Sequence, residues 1–457
     1  MDNKSTFKIG SLLKSTPPNN DVAPQELDEN SKYLEAERLV LDRIINHKGN
    51  DVEAREYNEI LAKCILGDLP SIAQLKEFIR KYLTESNKYD KNQISLYIEK
   101  IYTNNFGLAA IDDLVKDKSI NEIWVNGYSH IWIEKGGLKT RLDRQFKDDA
   151  EIIRVMRQML QYDRKEINVA KPTAESKLLD GSRITFAIPP ASSMPVINIR
   201  KFEAFEVTEE NVLGSGTISP KQLEFLKCVI KGRTNILVIG ETGSGKTSFL
   251  KFLCDYINPN LRIGTVESNL ELKLTKKYPD RNIFEYESHE ELGIDLGTLF
   301  RLCLRSSPDI VILGEARGSE ETQALINSMR RGHPGSIGTI HTNSADTAID
   351  DLVEMVSEDG RNRDMSLLKH RIVNAVEMIV QAHRFESGER RIVRITEIVP
   401  IKDDETFGKY KLNDLWEFDS NKKEFIQVGT VIGKNLLDKY KFFGLTDEDF
   451  EVIGIKK

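Results

Sequence analysis

Residues 235–257 read Asn-Ile-Leu-Val-Ile-Gly-Glu-Thr-Gly-Ser-Gly-Lys-Thr-Ser-Phe-Leu-Lys-Phe-Leu-Cys-Asp-Tyr-Ile. Ile236 to Ile239 is an apolar run of strand length. After it, Phe249, Leu250, Leu253 and Ile257 recur at helical spacing. Between them, Gly240, Glu241, Thr242, Gly243, Ser244, Gly245, Lys246 and Thr247 fit GxxxxGK[ST] in full. The spacing predicts a strand over 235–239, a glycine-rich turn and a helix over 248–257. Glycines let the backbone curl until successive N–H groups point inward, and the start of the helix adds partial positive charge at the same place. Such a turn cradles phosphates, with Ser248 just behind it. Lys246 reaches the β and γ phosphates and Thr247 offers a hydroxyl to Mg²⁺. A dinucleotide-binding turn would want GxGxxG and would leave Lys246 and Thr247 without a task. The expected ligands are therefore ATP and Mg²⁺.

Three further segments carry acidic or imidazole groups. Pro308-Asp309-Ile310-Val311-Ile312-Leu313-Gly314-Glu315 is a buried-type strand that delivers a carboxylate to its carboxyl end, where a nucleotide would sit. Glu315 is expected to hold the Mg²⁺ water shell or to orient the attacking water. Ile263 to Val266 ends at Glu267, a second candidate for polarising that water. Gly332 to Asn343 forms a third segment, in which His333 and His341 flank a short strand entered through Gly-His-Pro-Gly. A His at such a strand end can sense the γ phosphate. The two histidines lack the spaced Cys or His companions that a zinc site needs.

Working outward, strand and helix alternate over residues 218–400, which argues an α/β fold with a parallel sheet covered by helices. Residues 105–203 read as an α+β module. It has a hairpin of Ile123 to Val125 and Ile131 to Ile133 about an Asn126-Gly127 turn, a helix near 150–162, and strands over 184–188 and 196–199. Residues 31–104 are helical in pattern, 1–30 read as a disordered tail, 204–217 as a linker without a clear element, and 401–457 as a β-rich appendage ending in a helix. With 39% hydrophobic and 30% charged residues, the 457-residue chain has the balance of a charged-surface globular protein. No apolar run approaches the roughly 20 residues that span a bilayer. The start lacks a signal-peptide pattern, so a cytoplasmic protein is expected. Cys64, Cys228, Cys254 and Cys303 are scattered without CxxC pairs, which argues for a reducing compartment and against a disulfide framework. A net charge of −7 makes direct nucleic-acid binding unexpected. The basic residues Arg384 and Arg390 to Arg394 read as a solvated face.

In type and spacing, the phosphate loop, the box around Glu267, the stretch from Leu304 to Arg317 and the His333–His341 segment resemble the type II/IV secretion ATPase superfamily. Gly314 before Glu315 is a habit of that family. Its box usually reads Glu-Asp, whereas this chain has Glu267-Ser268. Asn121 to Gly127, Leu179 to Arg183 with Ile188-Pro189-Pro190, and Ile199-Arg200-Lys201-Phe202 resemble the CpaF-like branch that serves Tad/Flp pili. The four-Cys zinc module of type II extension ATPases is absent. The resemblance implies a RecA-like P-loop NTPase core, an N-terminal PAS-like domain and a helical N-terminal extension, assembled as a homohexamer. It implies that Arg183 and Arg200 approach the phosphates from the N-terminal domain, with Arg305 and Arg317 contributing from the core. It further implies an inner-membrane platform protein as partner, so that the chain sits at the inner face of the membrane through partners. A motor for pilus assembly or secretion is the leading expectation. A conjugation-type traffic ATPase, a weakly hydrolysing scaffold and a nucleic-acid-dependent ATPase are the competitors.

Overall fold

The computed structural model describes residues 29–45, 51–65, 67–160, 165–201, 207–289, 292–401 and 408–455. The tail expected over 1–30 lies outside these residues except for its last two. Phe202, residues 204–206 of the expected linker and the end of the helix expected to reach Tyr162 also lie outside them. The chain divides into two compact units, residues 1–112 with 154–166 and residues 113–153 with 167–457.

In the first unit, helices α1 (Glu29–Ile45), α2 (Asp51–Ile65), α3 (Leu69–Glu85) and α4 (Lys91–Asn105) pack around Val40, Leu75, Ile79, Leu83 and Ile101. The starts of α3 and α4 are capped by side chains that satisfy otherwise orphaned amides. The Asp68 carboxylate accepts from Ser71 N at 3.0 Å, and Asp90 and Gln93 form a reciprocal capping box.

After α5 (Asp112–Lys116) the chain builds an antiparallel six-stranded sheet. It comprises β1 (Ile120–Asn126), β2 (Ile131–Lys135), β3 (Leu138–Arg141), β4 (Thr173–Lys177), β5 (Arg183–Ala187) and β6 (Val196–Arg200), in the order β3-β2-β1-β6-β5-β4. Helix α6 (Asp149–Leu160) lies between β3 and β4 in sequence. The hairpin at Gly127 is present, with its turn spread over residues 127–130 and Asn126 still in the strand. Both edge strands, β3 and β4, were missed by pattern. Leu138-Lys-Thr-Arg is fully exposed and Thr173-Ala-Glu-Ser-Lys buries only Ser176, so neither shows an apolar alternation.

The stretch read as a featureless linker contains a short helix, α7 (Glu209–Gly214), whose cap Thr208 Oγ accepts from Asn211 N at 3.2 Å. Beyond it come α8 (Pro220–Lys231), β7 (Ile236–Gly240), α9 (Lys246–Leu253), β8 (Ile263–Glu267), α10 (Leu274–Lys277), β9 (Ile283–Glu287), α11 (Leu296–Arg305), β10 (Ile310–Ala316), α12 (Ser319–Arg330), β11 (Ile337–His341), α13 (Ala348–Ser357), α14 (Met365–Val373) and β12 (Met378–Arg384). Strands β13 (Arg390–Pro400), β14 (Tyr410–Asp419) and β15 (Glu424–Gln427) and helices α15 (Lys434–Phe442) and α16 (Asp447–Val452) complete the chain.

The nine strands β7–β15 form one sheet in the order β15-β14-β13-β12-β7-β11-β10-β8-β9. From β9 to β12 every pair is parallel, and from β12 to β15 every pair is antiparallel. The stretch expected as an appendage therefore continues the main sheet through the β13–β14 ladder. The unbroken apolar runs are explained by burial on both faces. Ile236 and Val238 join one core with Phe249, Leu250 and Leu253. Leu237 and Ile239 join the other with Leu325, Ile349 and Ile372. Because the central strands run parallel, Gly240, Glu267, Glu315 and His341 are all delivered to one edge, where ligands of open α/β sheets bind.

Candidate functional site

Beyond Gly240 the backbone turns through Gly243 and Gly245 at φ +79° and +93°, and α9 starts at Lys246. Phe249 N donates back to Gly245 O at 2.8 Å. The first-turn amides of Lys246 and Thr247 have no intrahelical acceptor, and both residues line the space in front of the loop. Ser244 Oγ is buried there without a partner. The Lys246 ammonium donates to Gly240 O at 2.9 Å and Glu241 O at 3.0 Å. Burial pulls its pKa down to about 8, against the pull of Glu315 and Glu241. The loop is thus held in shape by the cation that would meet a phosphate.

Lys246 Nζ also lies 3.1 Å from His341 Nδ1, and His341 Nε2 contacts Glu315 Oε1. With the lysine charged, Nδ1 accepts and the Nε2 proton is donated to the carboxylate. Burial and the neighbouring Lys246 hold the imidazole pKa below its ordinary value, so it is neutral near pH 7. Arg317 Nε donates to the other oxygen of Glu315 at 2.5 Å. Lys246 at the start of α9, His341 at the end of β11, Glu315 of β10 and Arg317 just after it therefore form one chain of hydrogen bonds.

Glu267 differs from expectation. It is 2% exposed and does not line the cavity in front of the loop. Its Oε2 accepts from Glu271 N at 2.9 Å and Leu272 N at 3.0 Å, and its Oε1 has no partner. Burial pushes its pKa up to about 8. This carboxyl pins the turn after β8 instead of facing solvent. The cavity is reached by Glu271, which is ion-paired to Arg183. The same packing accounts for Gly314. A Cβ at that position would stand 2.8 Å from Glu267 Cγ, so an Asp before Glu315 has no room.

The six-stranded sheet lines the other side of a cavity of about 680 Å³, a volume in the range of small-molecule sites. Arg183 and Arg200 stand opposite each other on β5 and β6, a like-charge pair that is tolerated because each has a carboxylate. Arg200 Nε donates to Glu122 at 3.0 Å. Two further arginines enter from β12 and β13, in the basic run read as a solvated face. Arg390 Nε donates to Gly243 O at 3.0 Å, and Arg384 N donates to Glu241 Oε1 at 3.3 Å. Both guanidinium groups share the buried Glu134 of β2, at 2.8 Å for Arg384 and 3.5 Å for Arg390. Two of the expected site residues are not brought here. Arg305 is exposed at the end of α11 and does not line the cavity. His333 precedes β11, at the opposite end of the strand from His341, with its Nδ1 2.8 Å from Pro308 O.

Thr247 and Glu315 line the same cavity and offer a hydroxyl and a carboxylate, the hard oxygen donors that suit Mg²⁺. Among the described residues no cluster of three or more His, Cys, Asp or Glu could hold a metal by itself. The donor set therefore fits an ion that brings its own phosphate and water ligands.

Residues 104–427 match the family model described as "Type II/IV secretion system protein". The type IV secretion system protein VirB11 of Bartonella quintana (strain Toulouse) is 27% identical over 341 residues, 66% of this chain and 94% of the relative. An uncharacterised protein of Methanocaldococcus jannaschii is 26% identical over 388 residues, 81% of this chain and 67% of the relative. The crystal structure of the VirB11 ATPase from the Brucella suis type IV secretion system in complex with sulphate is 25% identical, covers 65% of this chain and 97% of its own, and superposes at a TM-score of 0.34. The chain thus belongs to the type II/IV secretion system protein family.

Proposed function

We propose that this chain is an ATPase that works as a homohexameric motor, powering pilus assembly or protein secretion at the cytoplasmic face of a membrane through a membrane-embedded platform partner. In this reading residues 218–400 are the RecA-like core, 105–203 the PAS-like domain and 31–104 a helical extension. Family membership supports the ATPase role, since relatives of this chain are VirB11 proteins, one of them named as an ATPase. The observation that carries the proposal is one cavity edged by the Gly240–Thr247 loop, Glu315, His341 and the arginines of the six-stranded sheet.

The geometry supports the following roles. The loop amides and Lys246 bind the triphosphate, and Thr247 and Glu315 hold Mg²⁺, which supplies charge neutralisation at the phosphates when bound. Glu315, oriented by Arg317 and by the His341 proton, positions the attacking water. Arg183, Arg200, Arg384 and Arg390 stabilise negative charge developing on the transferred phosphoryl. Glu267 acts as a positioning residue for Glu271. No described helix is long and apolar enough to cross a membrane.

The segments 121–127, 179–183 and 199–201 support a CpaF-like branch within this reading. They fall on β1, the β4–β5 turn and β6 of one sheet. A type IV secretion role is the second reading, favoured by the VirB11 relatives. Phosphate release by the purified protein tests the ATPase proposal. Multiple turnover is expected in the wild type. With Glu315→Gln, turnover should fall on the order of 100-fold while nucleotide still binds. Unchanged turnover in Glu315→Gln would remove this carboxylate from the mechanism.

A further inference from the structure

Glu134 carries a carboxylate in β2, and only 4% of its side chain is exposed. A buried charge is costly, and an apolar side chain of similar volume often serves stability as well or better. The cost is raised by Glu122, which stands directly opposite Glu134 on β1, since like charges in that position weaken a strand pair. Glu122 is answered by Arg200 at 3.0 Å. Among the described residues, the Glu134 carboxylate pairs with Arg384 and Arg390 alone, at the end of β12 and the start of β13.

Those two guanidinium-bearing side chains pack onto the phosphate loop. Arg384 Nη1 lies 3.2 Å from where a Cβ would stand on Gly243, and Arg390 Cδ 3.2 Å from one on Gly245. Arg390 Nε donates to Gly243 O, and Arg384 Nη2 donates to Gly137 O at 2.7 Å. The turn after β2 and the turn after β12 meet backbone to backbone, so that a Cβ on Gly137 would stand 2.4 Å from Gly388 Cα. Burial, and then the charge of Arg384, hold the Arg390 pKa below its ordinary value. A carboxylate shared by both groups offsets that repulsion and fixes the pair in one position.

We infer that Glu134 is a positioning residue of the site: by gripping Arg384 and Arg390 together it aims their remaining N–H groups at the phosphoryl group being transferred. The inference rests on the reading of residues 240–247 as the triphosphate site. A carboxylate beside that site repels an incoming phosphate, so it adds nothing to binding by its own charge. Its gain lies in the geometry it imposes on the two arginines. Donors already in place where charge develops need no reorganisation at the moment of reaction.

The test is steady-state Mg–ATP hydrolysis by the full-length protein, with urea unfolding of each variant. Glu134→Gln keeps the shape and removes the charge. It should lower kcat by about tenfold or more while KM for Mg–ATP falls or stays within about twofold. A role confined to joining the two turns would leave both constants of the folded protein unchanged and move only the unfolding midpoint. In an Arg384→Gln/Arg390→Gln background, Glu134→Gln should cost less than about twofold more, because the groups it positions are gone. Should Glu134→Gln not fold, Glu134→Asp carries the test, with a severalfold fall in kcat expected at unchanged KM and wild-type kcat overturning the inference. No Mg–ATP binding and no turnover in the wild type would sink the loop reading and the inference with it. Wild-type turnover that Lys246→Ala abolishes, with kcat unchanged in Glu134→Gln, keeps the loop reading and overturns the inference alone.

Discussion

At the scale of single residues, the site is a set of groups whose charges are set by burial. Lys246 has a pKa near 8, while a bound triphosphate would hold the ammonium fully protonated. Nucleotide binding between pH 8 and 9 should therefore take up a proton, and affinity should fall as pH rises through that window. Calorimetry in buffers of different ionisation enthalpy reads the uptake directly. Glu267 has the opposite consequence for stability. Its folded pKa of about 8 stands above the ordinary carboxyl value, so its contribution is full below the unfolded pKa and is lost as pH rises through 8. Between pH 5 and pH 9 the wild type should lose on the order of a few kcal/mol relative to Glu267→Gln in urea unfolding. A pH-independent difference would mean that Glu267 is ionised in the fold. Gly314→Asp should destabilise by about 2–3 kcal/mol, because the added Cβ meets Glu267 Cγ at 2.8 Å. Near-wild-type stability of that variant would deny the close approach.

Elements show which parts of the fold and site were legible in sequence. Strands β7, β8 and β10 are buried on both faces, so their apolar runs announced them, and the loop between β7 and α9 is local enough to read as a word. Edge strands β3 and β4 bury almost nothing and left no apolar period. Arg384 and Arg390 were legible only as basic residues. They meet the loop through contacts 143 and 147 residues apart, and nothing local to them records that the β12–β13 turn folds over Gly243. Glu134 was silent for the same reason. Glu267 was assigned to the water because it ends a strand at the ligand edge, and only the turn at 271–272 reveals that it points inward. Arg390→Ala should leave Glu134 buried with one partner and cost about 2 kcal/mol in stability, together with a loss of roughly tenfold in nucleotide affinity. Denaturant melts and nucleotide titration separate the two effects. An unaffected affinity would confine Arg390 to holding the sheets together.

For the molecule as a whole, the match over residues 104–427 leaves helices α1 to α3 and most of α4 outside the family's shared region, although they have their own core. The hexamer is the part of the proposal that a single chain cannot display. It predicts a protein whose mass in sedimentation shifts towards six copies with concentration and Mg–ATP. A strict monomer under every nucleotide condition would dismiss the ring. The account's central claim is that the loop around Lys246 embraces a triphosphate. Equilibrium binding of Mg–ATP to the purified full-length protein and to Lys246→Ala tests it most directly. Micromolar binding in the wild type, weakened at least about 100-fold in the variant, is the expected result. Equal affinity in the two proteins, or none in the wild type, would contradict it.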